Sequence, residues 1–175
     1  LMSLPFAFKT TIDTIPRTVP YLFTKPEIHD VLQRELQSAN KKTVGLVWSG
    51  NPNHKNDIRR SIKLEVLEPI LSADCDWLSI QKEIRNDDRA CLKAFGIIQD
   101  CSDRISSFDD TAAIINLLDL VISVDTSVAH LAGALGKPVW ILLPFHPDFR
   151  WLRDRKDSPW YPNARLFRQT KDGDW

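Results

Sequence analysis

The stretch ISVDTSVAHLAGALGKPVWILLP, residues 122–144, decides the fold. It runs from an apolar strand through Asp125, Thr126 and Ser127 into a short helix of small residues, turns at Gly136, and re-enters an apolar strand. Strands without polar alternation are those covered on both faces, as in parallel sheets. A strand, a helix and a second strand in so few residues read as one parallel crossover unit.

Working outward, similar apolar runs stand at residues 43–49 (TVGLVWS), 77–81 (WLSIQ), 120–124 (LVISV), 139–143 (VWILL) and, more weakly, 165–168 (RLFR). Helical patterns fall between them at 64–71, 88–95, 111–118 and 127–135, the first interrupted by Pro69. Strict alternation of strand and helix predicts an α/β fold with a doubly wound, mostly parallel, Rossmann-like sheet. Upstream, Ile28, Val31, Leu32 and Leu36 place an amphipathic helix over 27–39 after Pro26. Residues 1–25, with prolines at 5, 16 and 20, read as a linker or surface arm, and 26–175 as the domain. The start on Leu1 with Met2 following leads to the expectation of a piece of a longer protein.

Composition excludes several classes. Lys plus Arg equals Asp plus Glu at 23 each, so no overall field draws nucleic acid or an anionic membrane. The longest apolar run, 112–124, is broken by Asn116 and Asp119 and falls short of the roughly 18 residues of a membrane span. Cys75, Cys91 and Cys101 have neither disulfide nor zinc spacing, which predicts reduced structural thiols in a cytoplasmic protein. The phosphate-loop lysine and the G-x-G-x-x-G fingerprint are absent. Asp74-Cys75-Asp76 has the look of a metal-binding pair, yet it precedes its strand and so falls at the wrong edge of the sheet. No metal is expected.

In an open parallel sheet, ligands collect outside the carboxyl ends of the strands. Asp125, Thr126 and Ser127 lie at such an end and open a helix, where Asp125 or Thr126 can cap and the free first-turn amides suit an anion. Val128, Leu131, Ala132 and Leu135 form the stripe toward the sheet, and His130 points away from it, held near neutral by the positive helix end. The first strand runs into SGNPNHKNDIRRS, residues 49–61. There Ser49, Gly50 and Asn51 begin a polar loop, and Lys55, with Arg59 and Arg60, sets cations opposite the helix terminus. Lys55 and the start at Thr126 together resemble a diphosphate clamp. Gln81, Lys82 and Glu83 end the second strand in a position suited to base or ribose. The plain alternative makes the first of these a simple cap and the loop a solvated turn. The irregular stretch 144–162, rich in proline, aromatics and arginine, is long for a compact domain, and its aromatics favour an ordered loop.

The segments GLVWSGNPNHKND, WLSIQKE, DLVISVDTSVAHLAGALGKPVWILLP and DSPWYPNARLFRQ resemble the C-terminal half of bacterial ADP-heptose heptosyltransferases, especially members that carry tetratricopeptide repeats. A more distant likeness is to O-linked N-acetylglucosamine transferase. The resemblance covers most of 43–175 and implies one half of a GT-B fold, with LMSLPFAFKTT entering from an N-terminal half. It implies the donor-binding domain of a glycosyltransferase that uses a nucleotide diphosphate sugar as co-substrate, with no resident cofactor and with metal-independent, inverting transfer in the whole protein. Lys55 would then stabilise the leaving diphosphate, Asp125, Thr126 and Ser127 would face phosphates or sugar, and His130 would line the pocket with a possible catalytic part. Ser127 stands where heptosyltransferases often carry Gly. Two other readings remain open here: a non-catalytic scaffold module of a repeat protein, with the aromatic loop as its contact surface, and a sugar-nucleotide epimerase.

Overall fold

The computed structural model describes residues 3–24 and 41–175; the helix expected at 27–39 lies outside them. Six parallel strands form one sheet: β1 (Lys42–Val47), β2 (Cys75–Ser79), β3 (Ile98–Asp100), β4 (Leu120–Val124), β5 (Val139–Leu143) and β6 (Ala164–Arg168), in the order β3-β2-β1-β4-β5-β6. This is the order of a doubly wound Rossmann sheet. Direction reverses between β1 and β4, which pair from Val44 opposite Leu120 to Val47 opposite Ser123. The loops leaving these two strands therefore diverge and open a crevice between them.

Two apolar cores lie on the two faces. On one, α4 (Phe108–Leu117) and α5 (Ser127–Ala134) bury Ile114, Ile115, Ala129 and Ala132 against Val121, Ile141 and Leu143. On the other, α3 (Asn86–Phe95) and a 3-10 helix at Leu64–Ser72 bury Leu92, Leu64 and Leu67 against Leu46, Trp77 and Ile122. Pro69 sits inside the latter element, and its missing amide accounts for tighter 3-10 geometry where an ordinary helix was expected. Two four-residue helices, α1 (Leu4–Ala7) and α2 (Asp57–Arg60), lie on the arm and in the loop after β1.

The arm is tied down near its end. The amides of Tyr21 and Leu22 donate to Ala134 O at 3.0 and 3.3 Å, and Asn116 Nδ2 donates to Thr24 Oγ1 at 2.7 Å. Cys101 is wholly buried, and burial pushes its thiol up to about 11, as expected of a structural cysteine. No helix among the described residues is long and apolar enough to cross a membrane.

Candidate functional site

Two cavities flank the switch point. The first, about 510 Å³, has apolar walls at Val47, Ile80, Ile105 and Val128 and a polar rim at Lys82, Glu83 and Ser106. The second, about 410 Å³, is lined by polar side chains from the loops after β1 and β4 and from the loop after β5, including His130, Asp148 and Arg150. Arg60, Thr126 and Ser127 line both.

This shared wall is built from the backbone up. Thr126 is the N-cap of α5 with extended backbone, φ −136° and ψ 172°, but it makes no side-chain cap. Its hydroxyl stands 3.1 Å from Ser123 Oγ instead. The expected capping by Asp125 or Thr126 is thus not formed, because Ser123 competes for the hydroxyl and the Asp125 carboxylate lines the second cavity. The amides of Ser127 and Val128 keep no protein acceptor among the described residues, and at a helix start such amides attract anions.

Arg60 crosses from the other loop. Its Nη1 donates to Asp125 O at 2.8 Å, while its buried Nε has no hydrogen bond among the described residues and lies 3.7 Å from Asp57 Oδ1. Gly50 makes this path possible, since a Cβ there would stand 2.4 Å from Arg60 Nη2. Asp57 is buried and anchors the loop through Ser61 Oγ at 2.8 Å and the guanidinium of Arg85. Ser61 Oγ in turn accepts from Gly50 N at 3.0 Å.

Gln81 locks the start of the same loop. Its Oε1 accepts from the amides of Trp48 and Ser49 at 3.2 and 3.1 Å, and its Nε2 donates to Ser49 O and Glu83 O at 2.9 and 3.1 Å. With its amide fully engaged, Gln81 holds the crevice wall in place. Ser49 Oγ, buried on the first cavity, has no hydrogen-bond partner among the described residues. At the rim, Ser107 caps α4, accepting from Asp110 N at 3.2 Å, and the Asp110 carboxylate accepts from the amides of Ser106 and Ser107 at 2.9 and 2.8 Å. Those bonds hold the Asp110 carboxyl below its usual range, the Ser106 amide contributing most. They also fix Phe108, 63 % exposed, at the edge of the first cavity.

His130, expected to point away from the sheet, lines the second cavity and is half-buried rather than exposed. The sheet-facing positions of α5 include Ala129 and Ala132, whose small side chains let the helix approach closely, and Val128 and Leu131 are only partly buried. His130 lies under the loop after β5, against Trp151 and Tyr161. Burial lowers its pKa, Asp125 and Asp148 pull it up, and Arg150 pushes it down.

Of the residues expected at the site, Ser49, Gly50, Asn51, Gln81, Lys82, Glu83, Thr126 and Ser127 line the first cavity. Asp125, Thr126, Ser127 and His130 line the second. Lys55 is exposed in the turn between His54 and Asn56, both on the second cavity, and itself lines neither. Arg60 takes the central cationic place. The sequence reading missed Phe108, Trp151 and Tyr161; an aromatic at a helix start and two in a proline-rich loop carry no periodic signal. Asp74 forms an ion pair with Lys41 at 2.6 Å at the start of β2, the edge opposite the crevice.

Residues 106–170 match the model of Glycosyltransferase family 9 (heptosyltransferase). The chain is 25 % identical over 177 residues to Protein FlbA of Caulobacter vibrioides, a match across 97 % of this chain and 29 % of that protein. The fold is similar to ADP-heptose lps heptosyltransferase II of E. coli, at 14 % identity and TM-score 0.62, over 90 % of this chain and 48 % of that one. It is also similar to a family 9 glycosyl transferase of Veillonella parvula, at 12 % identity and TM-score 0.60, over 90 % and 44 %. The chain thus spans less than half the length of these relatives. It has the Rossmann-like fold of one part of a GT-B heptosyltransferase structure, and its residues 106–170 carry the glycosyltransferase family 9 pattern.

Proposed function

We propose that this chain is the donor-binding domain of a glycosyltransferase and holds a nucleotide diphosphate sugar across the switch point. The observation that carries this reading is the wall shared by the two cavities, where the Arg60 guanidinium faces the uncapped start of α5 at Thr126 and Ser127. A diphosphate on that wall would send the nucleoside into the first cavity, between apolar walls and Phe108, and the sugar into the second, among polar groups. Lys55, on the neighbouring turn, adds a further cation within the same loop.

The chemistry follows from the leaving group. Breaking a sugar–diphosphate bond builds negative charge on the departing phosphate, and oriented amides with a guanidinium stabilise that charge without requiring a metal. An inverting, metal-independent transfer in a cytoplasmic parent protein is the reading that goes with this arrangement. Arm 1–25 would lead from a companion half that supplies acceptor site and catalytic base, with tetratricopeptide repeats in the same protein. The match across only 29 % of the FlbA length supports a longer parent. The scaffold reading has less support, because Trp151 and Tyr161 of the aromatic loop turn into the core.

Isothermal titration of the chain with UDP, ADP and GDP sugars tests the proposal. Saturable heat with one of them is expected, and its absence with all three would remove the reading.

A further inference from the structure

His130 is held on two sides. Its ring stacks on Trp151 with centroids 4.9 Å apart and planes 18° from parallel, and Trp151 is fully buried. Tyr161 meets it edge-on at 5.8 Å and 62°, with its hydroxyl 3.1 Å from His130 Nδ1. One turn along α5, Gly133 leaves the space that the Tyr161 ring fills: a Cβ at Gly133 would stand 2.4 Å from Tyr161 Cγ. Three separate features of the chain, Gly133, the loop after β5 and α5 itself, thus serve to orient one imidazole.

The hydrogen bond at Nδ1 has a preferred direction. A phenol O–H is more acidic than an imidazole N–H, and imidazole nitrogen is a better acceptor than phenol oxygen, so the pairing is most favourable with Tyr161 donating and Nδ1 accepting. The tyrosine hydroxyl keeps its proton, since burial raises its pKa. With Nδ1 accepting, the ring proton resides on Nε2. Among the described residues no partner takes Nε2, and His130 lines the second cavity. The charged groups facing that cavity are Asp125, Asp148, Arg59, Arg60 and Arg150, with His54 and His146. Burial, the largest influence on His130, favours the neutral ring.

We infer that Tyr161 and Trp151 are positioning residues that hold His130 as the neutral Nε2–H tautomer, so that it donates a hydrogen bond to a phosphate oxygen of the ligand in the second cavity. The ligand's identity rests on the donor-binding reading; the tautomer does not. An imidazole fixed this way adds a neutral donor to the cationic one from Arg60, and its orientation is set before the ligand arrives.

The test has two arms. In 15N-histidine-labelled chain near neutral pH, the ring nitrogens of His130 should show an unprotonated Nδ1 and a protonated Nε2. In Tyr161→Phe, which keeps the ring and loses the hydroxyl, they should move toward a mixture of tautomers. A protonated Nδ1 in the unaltered chain, or identical spectra in the two proteins, would overturn the inference; the first of these needs no variant to fold. In the second arm, titration with UDP, ADP and GDP should show Tyr161→Phe weakening whichever nucleotide binds by roughly two- to tenfold. Unchanged affinity would sink the role toward phosphate. If none of the nucleotides binds the unaltered chain, the donor-binding reading and the ligand half of this inference fall together, while the tautomer measurement still decides the positioning of His130.

Discussion

Arg60 Nη1 donates to the carbonyl of Asp125 at 2.8 Å, and this single bond joins the loop after β1 to the loop after β4 across the mouth of the sheet. The residue that bridges the two loops is also the cation on both cavities. Replacing it therefore removes charge and geometry together. Arg60→Gln should weaken sugar-nucleotide binding at least about tenfold, or about 1.4 kcal/mol, in calorimetric titration. Lys55→Ala, on the exposed turn outside both cavities, should cost less; a larger loss for Lys55 would return the main cationic role to it.

Gly133→Ala tests the packing beneath His130. The new methyl would stand 2.4 Å from the Tyr161 ring, and a buried ring held against a helix cannot retreat freely. Overpacking of this kind costs about 1–3 kcal/mol, so the thermal midpoint should fall by several degrees. An unchanged midpoint would mean that the Tyr161 ring sits elsewhere.

Gln81→Ala would strip partners from the amides of Trp48 and Ser49 and from the carbonyl of Ser49, all at buried positions. Leaving several buried groups unpaired should destabilise the chain by about 3 kcal/mol, read as a lower urea midpoint. A loss of nucleotide affinity with no loss of stability would instead make Gln81 a direct ligand contact.

His130 sets a pH dependence. Its folded pKa lies below the ordinary value of 6.5 because burial disfavours the charged ring. Above 6.5 both folded and unfolded states hold it neutral, and it contributes no slope. As pH falls below 6.5 the unfolded chain takes up the proton first, so stability declines until the folded pKa is reached. Urea unfolding at pH 7.5 and 5.5 should show this decline, and His130→Gln should lessen it. A variant with the same decline as the unaltered chain would remove His130 from the account.

Much of this arrangement was legible before the coordinates. Strands at 120–124 and 139–143 were read to the residue, since an unbroken apolar run in a buried parallel strand is a strong signal. β3 was not, because only Ile98 of its three residues is buried and no pattern survives at that length. Ser49, Gly50 and Asn51 of the loop after β1 line the first cavity, whereas Lys55, the cation expected there, lines neither. The internal wiring of that loop was hidden: Asp57 pairs with Arg85, 28 positions away, and Gln81 reaches back to Ser49, 32 positions away. Contacts at that separation depend on strand order, which local periodicity does not encode. For the same reason a solvated Arg60 and a bridging Arg60 look alike in sequence. The burial of His130 depends on Trp151 and Tyr161 of a later loop, which local periodicity does not encode.

The central claim is that a diphosphate rests on the wall formed by Arg60 and the start of α5. It is tested most directly by following backbone amides of the 15N-labelled chain as UDP, ADP and GDP sugars are added. Saturable shifts centred on Ser127 and Val128, with the Arg60 side chain moving at the same concentration, are the expected result. Saturable shifts that leave those amides still, or no shift with any of the three, would contradict it.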